Sequence, residues 1–375
     1  MFAHGHFKLE RLMYVILLLV CSTNIYASIW PAPVTFNILN ETLIPLSSDF
    51  KFVTSSNTPA AANTFLLNAY SRYQELLNTL PHSASSSSGE TLSDIANYVP
   101  GLRVYVQSTI LVMSLDVDES YTLQVIGPDR EIELNASTVF GALRGLETFI
   151  QLCDLNVTLM GGGTSVPASV VIKDQPRFAY RGLMMDLSRH YYAVDAIAHT
   201  MDAMVASKLN VLHLHLTDDQ SIPIFSPSFP NLTALASFRV HGVPQIYSKS
   251  DIQYLLNYAT QRGILIIPEF DMPAHSSAWG AAFPTDMVTG QGCSPVPFTH
   301  GDTLDPSSES MFEHIDTFLG DMITLFGPGG YLHLGGDEVP VTCWNNSVRV
   351  KAWMATQGPL FSCLLPTYLK HICVQ

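Results

Sequence analysis

The chain has 375 residues, enough for about two domains and a large core. Charged residues make up 13% of it and apolar residues 47%, which excludes a disordered, collagen-like or coiled-coil protein. Lys and Arg number 18 against 32 Asp and Glu, and the resulting net charge of −14 argues against nucleic-acid binding through phosphate contacts.

The chain starts with Lys8 and Arg11, then the apolar run Met13–Cys21, then a small-residue site near Ala27. That order predicts a secretory signal peptide over residues 1–27, with a retained anchor as the other reading. Nine apolar residues are short for a membrane span. The segment implies the secretory pathway, with a lysosomal or extracellular destination. It makes the N-x-S/T sequons at Asn40, Asn135, Asn156, Asn231 and Asn345 candidate glycan sites. Beyond Cys21 five cysteines remain, an odd number that leaves at least one thiol unpaired, and none sits in a CxxC metal pattern.

Residues 28–175 read as an α+β domain. Thr35–Leu39 is a short predicted strand, and Thr58–Leu80 has helical apolar spacing. His82–Glu90 is a Ser-rich linker. Leu102–Gln107 and Tyr121–Ile126 alternate as strands. Ser137 is placed to cap a helix through Ile150, and Val170–Ile172 is a last strand before the Pro176 boundary.

After Pro176 strands alternate with helices. Gly182–Leu187, Val211–Leu216, Ile264–Ile267 and Tyr331–Leu334 are predicted strands. Between them lie helices over Val194–Lys208, from Ser248 with Asp251 at a capping-box position to Gly263, and over Ser307–Phe326. This rhythm implies βα units and a parallel sheet of (β/α)-barrel type. Each strand ends in polar groups: Asp186 then Arg189-His190; Asp218-Asp219; Glu269, Asp271 and His275; Asp337-Glu338. One carboxylate there is often only the cap of the next helix, but four sets in succession point to the active end of a barrel.

The sharpest motif is His333-Leu-Gly-Gly-Asp337-Glu338. Its glycines let a ligand approach the backbone, although a glycine turn followed by an acidic cap is an equal reading of these residues alone. If the chain there is extended, adjacent carboxylates point different ways. They cannot then form the facing acid–nucleophile pair of an ordinary retaining glycosidase, so the two groups need different tasks.

The segments RGLMMDLSRHYY (181–192), LNVLHLHLTDDQSIP (209–223), IPEFDMPAHSSAWG (267–280) and YLHLGGDEVPVTCW (331–344) resemble the β-N-acetylhexosaminidases of glycoside hydrolase family 20. ESYTLQVIG (119–127) and TVFGALRGLETFIQL (138–152) resemble that family's N-terminal domain. The resemblance implies hydrolysis of terminal non-reducing N-acetyl-D-hexosamine from glycans or glycoconjugates by substrate-assisted retaining catalysis, an exception to the two-carboxylate scheme. Glu338 would be the acid/base and Asp337 the group that orients the acetamido nucleophile. Arg189 would bind sugar hydroxyls, with a structural ion pair as its other reading. Asp218 and His275 would support the acid/base. Asp186, Asp219, Glu269 and Asp271 are expected to hold the barrel mouth together, and Trp279 and Trp344 to pack in the core or rim, with a sugar platform as their other reading. The resemblance also implies a Cys293–Cys343 disulfide, no metal or organic cofactor, and assembly as a homo- or heterodimer.

A complete eight-stranded barrel takes about 250 residues. From Pro176 the chain has 200, with four predicted strands, so residues 176–358 read as about the first four βα units and 359–375 as a tail without a family motif. The other functional class is therefore a truncated, non-catalytic fragment or partner-binding isoform with an incomplete sugar pocket. A chitinase-like barrel is disfavoured because its acidic motif has spaced carboxylates.

Overall fold

The computed structural model describes residues 29–80, 98–126, 131–160, 164–290, 293, 303–327 and 330–357. The signal-peptide, Ser-rich-linker and tail segments expected above lie outside these residues. The chain divides into two compact units. The first comprises the residues up to Arg181 with Asp202–Asn210 and Thr260–Ile264; the second comprises Gly182–Met201, Val211–Ala259 and the residues from Leu265 on. Among the described residues no helix is long and apolar enough to cross a membrane.

In the first unit, five strands form one sheet: β1 (Thr35–Thr54), β2 (Val99–Val106), β3 (Tyr121–Ile126), β4 (Glu131–Ala136) and β5 (Ser165–Asp174). The order is β1-β2-β4-β3-β5, closed because the long β1 also pairs with β5. Thr35–Pro45 runs antiparallel to β5, and Leu46–Thr54 runs parallel to β2, with register shifts that bend the strand between its two partners. Only the first five residues of β1 were legible as a strand, and β4 was not foreseen.

One face of this sheet carries alternate buried residues such as Leu102, Val104, Leu123, Ile132 and Leu134. Helices α1 (Ala60–Thr79) and α2 (Val139–Met160) supply further buried side chains. Phe50 stacks on Phe149 and Phe52 on Tyr70, at 5.5 and 5.8 Å between ring centroids. Gly145 has no room for a side chain, because a Cβ there would run into Leu134. Thr138 rather than Ser137 caps α2: its Oγ1 accepts from Gly141 N at 3.2 Å, while Ser137 Oγ lies 3.0 Å from Ser120 Oγ.

The polar centre of the unit is Glu119, only 4% exposed. Its carboxylate accepts from Arg144 Nε at 2.7 Å, from Arg181 Nη2 at 2.8 Å and from Asn210 Nδ2 at 3.1 Å. A carboxylate so buried is tolerated because its acceptor sites are filled by charged and amide donors.

In the second unit, β6 (Gly182–Asp186), β7 (Val211–His215) and β8 (Leu265–Glu269) form a parallel sheet with β7 in the middle. The fourth predicted strand is reduced to one parallel bridge, Glu269 to His333. It is fixed by His333 N to Pro268 O at 3.0 Å and Phe270 N to His333 O at 2.9 Å, and two positive-φ glycines follow at once. From β6 onward in the chain the helices are α3 (Val194–Ala206), α4 (Pro230–Leu235), α5 (Lys249–Thr260), α6 (Glu309–Phe326), α7 (Val341–Asn346) and α8 (Val348–Gln357). The Ser248–Asp251 capping box is present, with reciprocal bonds of 2.8 and 3.2 Å. The helix expected to reach Lys208 stops at Ala206, before Lys208 turns to φ 54°.

Removing one partner of a buried ion pair strands the remaining charges, whereas exposed pairs contribute little. Glu119→Gln is expected to lower stability by ~3 kcal/mol in urea denaturation of the full chain. Glu131→Gln breaks the half-exposed pair with Arg103 and should cost less than ~1 kcal/mol.

Candidate active site

The strand register brings the site residues together. Asp186 pairs with His215 and His215 with Glu269 across β6, β7 and β8, and Glu269 bridges to His333. One row at the carboxyl ends of the strands therefore carries two carboxylates and two imidazoles, where barrel folds hold their chemistry. Side chains two apart on a strand share a face, so His213 lies beneath His215 on the same side.

Two carboxylates organise the cluster. Asp218, 1% exposed, takes Arg189 Nε at 2.6 Å and His215 Nε2 at 2.8 Å on Oδ2. Its Oδ1 accepts Asp219 N at 2.6 Å and lies 3.5 Å from His275 Nδ1. Burial alone would raise its pKa. The contacts to His215 and His275, the Asp219 amide and the Arg189 charge outweigh burial and hold it well below the usual carboxylate range. Glu269 lies 2.6 Å from His213 Nε2, 3.0 Å from His215 Nδ1 and 3.2 Å from His333 Nδ1. Contacts to His213 and His215 likewise push its pKa down against burial.

The histidines respond in the opposite sense. His275 is raised to about 9, chiefly by its contact with Asp218. For His215, burial opposes the proton, but carboxylates on both ring nitrogens prevail and raise it to about 10. Both rings are therefore cations at neutral pH.

His275 faces Asp218 with one nitrogen and Glu338 with the other, 3.3 Å from Oε2 and not aligned as a hydrogen bond. Glu338 itself is 78% exposed. The loop bearing it is not extended: Gly335, Gly336 and Glu338 all have positive φ, so Asp337 and Glu338 diverge through a turn rather than by strand alternation. Gly336 N donates to Asp271 Oδ1 at 2.9 Å, and a Cβ at Gly335 would run into the Asp271 carboxyl, so that approach requires glycine.

Arg189 pairs with both Asp186, at 2.9 Å, and Asp218, yet remains 43% exposed. It is an ion-pair residue whose guanidinium still faces solvent. Asp219 Oδ1 accepts from Ser277 N at 2.9 Å and fastens the loop after β8. Trp344 is fully buried and donates from Nε1 to Leu304 O at 2.9 Å; Trp279 is buried against Phe283 and Phe318. Cys293 and Cys343 are disulfide-bonded and pack with Trp344 and Val350, anchoring the chain just beyond Glu338. Cys153 is a buried free thiol. Sequon residues Asn40, Asn231 and Asn345 are exposed, Asn135 is half-buried, and the side chain of Asn156 lies outside the described set.

His213 and His215 were not singled out from sequence, and His333 was named only as the first residue of the glycine–acid motif. The alternation in VLHLHL and YLHL carried the signal, since it puts each imidazole on the face of Asp186 and Glu269. Several of these groups offer metal-ligating atoms within 4.8 Å of one another, among them His213, Glu269 and His333. In the structure both imidazoles face the Glu269 carboxylate, at 2.6 and 3.2 Å.

Asp271 is the strained member. Burial, with Asp337 and Glu269 nearby, raises its carboxyl to about 6 against the Gly336 hydrogen bond and His275. A raised acid costs stability once ionised, so its penalty is absent below the unfolded value and sets in as pH rises towards the folded one. Asp271→Asn keeps the acceptor for Gly336. It should stabilise the chain by ~1–3 kcal/mol at pH 8, with the gain fading as pH falls through 6 towards 4, in urea denaturation at each pH.

Comparison with known proteins places these features. The model for the glycosyl hydrolase family 20 catalytic domain matches residues 178–372, past Gly358, and that for a beta-acetyl hexosaminidase-like domain matches 29–152. Beta-hexosaminidase 3 of Arabidopsis thaliana is 35% identical over 334 residues, covering 87% of this chain and 58% of the plant protein. Beta-hexosaminidase subunit alpha of Rattus norvegicus is 34% identical over 349 residues, covering 93% of this chain and 64% of that subunit. The chain thus spans about three-fifths of the length of these relatives. Among solved structures, Flavobacterium johnsoniae chitobiase superposes with a TM-score of 0.71 at 30% identity, covering 92% of this chain and 51% of the chitobiase. The fold is an N-terminal α+β domain followed by a partial (β/α) barrel, and the chain belongs to glycosyl hydrolase family 20.

Proposed function

We propose that the chain hydrolyses terminal non-reducing β-linked N-acetylhexosamine from glycans, with the substrate's acetamido oxygen as nucleophile. The observation that carries this reading is the run Arg189–Asp218–His275–Glu338, which ends on a carboxylate beside Asp337 at the carboxyl ends of the barrel strands. Glu338 protonates the leaving oxygen, then takes a proton from the incoming water. Asp337 holds the acetamido N–H and stabilises the positive charge that develops on the ring formed by acetamido attack. Arg189 uses its solvent-facing donors for sugar hydroxyls, a task suited to a planar fork. His275, cationic beside Asp218, positions Glu338. A bound sugar covers the exposed Glu338 and excludes bulk water from it. No cofactor takes part.

The family relationship and the N-terminal segment support entry into the secretory pathway, with glycans at accessible sequons. The relatives named as alpha and beta subunits support assembly as a dimer. One observation favours the second reading, a non-catalytic fragment. Strand β6 pairs only with β7 among the described residues, and Leu183 and Met184 on it are exposed, so that edge is unprotected.

Release of chromophore from an aryl N-acetyl-β-glucosaminide by the purified chain separates the two. The proposal expects turnover that falls at least ~100-fold in Glu338→Gln, the scale of lost general acid–base catalysis. Absence of turnover together with a cooperative thermal transition would favour the non-catalytic reading.

A further inference from the structure

The solvent face of the first unit's sheet carries a row of side chains with no part in the site above. Tyr105, Asn135, Thr122 and Lys173 are paired in register across β2, β4, β3 and β5, so they stand side by side. Asn135 is also the first residue of the sequon Asn135-Ala-Ser137. A sequon usually marks a surface loop; this one lies in an inner strand. Two concavities flank it, and both Asn135 and Tyr105 line each of them. One, of about 390 Å³, runs past Thr122, Gln107 and Lys173; the other, of about 270 Å³, runs past Asn57, Arg103 and Glu133. Neither is lined by a residue of the candidate active site. The Asn135 side chain makes no hydrogen bond among the described residues, so its amide nitrogen is unengaged.

We infer that Asn135 carries an N-linked glycan whose first sugar lies in these concavities against the Tyr105 ring. The donor is an oligosaccharide on a polyprenyl diphosphate. The Asn135 amide nitrogen forms a bond to C1 of the sugar, the C1–O bond to the diphosphate breaks, the diphosphate leaves with the electron pair, and the amide proton passes to a base. The apolar face of a pyranose suits an aromatic ring, while Gln107, Thr122 and Lys173 offer donors to its hydroxyls and acetamido oxygen. The exposed Asn40, Asn231 and Asn345 line neither hollow, so a glycan there would stand in solvent. The inference rests on the secretory reading but not on the catalytic one.

The test is expression of the full chain in secretory eukaryotic cells, with glycan occupancy read by mass spectrometry on denatured glycopeptides, which does not depend on folding. Occupancy at Asn135 is expected, with loss in Ser137→Ala. On the native protein, amidase release at Asn135 should be at least tenfold slower than at Asn40, and Tyr105→Ala should abolish that difference while leaving occupancy intact. Glycans at the exposed sequons with none at Asn135 would overturn the inference. So would release at equal rates from Asn135 and Asn40. No glycan at any sequon would overturn it together with the secretory reading.

Discussion

Asp218 is the constraint on which the second unit depends. One buried carboxylate meets Arg189 from the segment after β6, His215 from the end of β7 and His275 from the loop after β8. A charge so buried is costly without partners, and here three cationic groups and a backbone amide surround it. The arrangement fixes three successive strand ends relative to one another. Glu269 repeats the device one strand on, tying His213, His215 and His333 together and carrying the row to the fourth segment. His215 joins the two, with one nitrogen on each carboxylate.

This polar frame supports backbone that would otherwise be unfavourable. His275 and Glu338 both hold positive φ, a region that side chains other than glycine disfavour. Each sits where the chain must turn a side chain towards the other. The turn at Glu338 is braced on one side by the Gly336–Asp271 hydrogen bond and on the other by the Cys293–Cys343 bridge and the buried Trp344. Local strain at the proposed acid/base is thus held by contacts on both sides of it in sequence.

Much of this was legible in the sequence, for definite reasons. The helices with strong apolar spacing and cap residues ran where expected, as the Ser248–Asp251 box shows. The three barrel strands were apolar runs bounded by polar residues. The clustering of Asp186, Arg189, Asp218, Glu269 and His275 followed from their common position at strand ends. What was not legible depended on pairing. Strand β4, EIELNA, is short and half polar, and it forms because β2 and β3 flank it. The far half of β1 is a strand only because β2 receives it. The fourth barrel segment has strand sequence but keeps a single bridge, since Gly335 and Gly336 turn the chain away immediately. The histidine triad about Glu269 needed the strand face to be read, not only the strand end.

The most direct measurement is the ionisation of His215 and His275, by nitrogen NMR of the imidazole rings in the intact chain, assigned with His215→Gln and His275→Gln. The charge frame predicts that both rings are imidazolium at pH 7.5, with midpoints near 10 for His215 and near 9 for His275. Stability contributed by these protons is complete below the unfolded histidine value of about 6.5 and is lost as pH rises through those midpoints. Neutral rings at pH 7.5, titrating near the unfolded value, would contradict the account, because Asp218 and Glu269 would then lack the cations said to hold them.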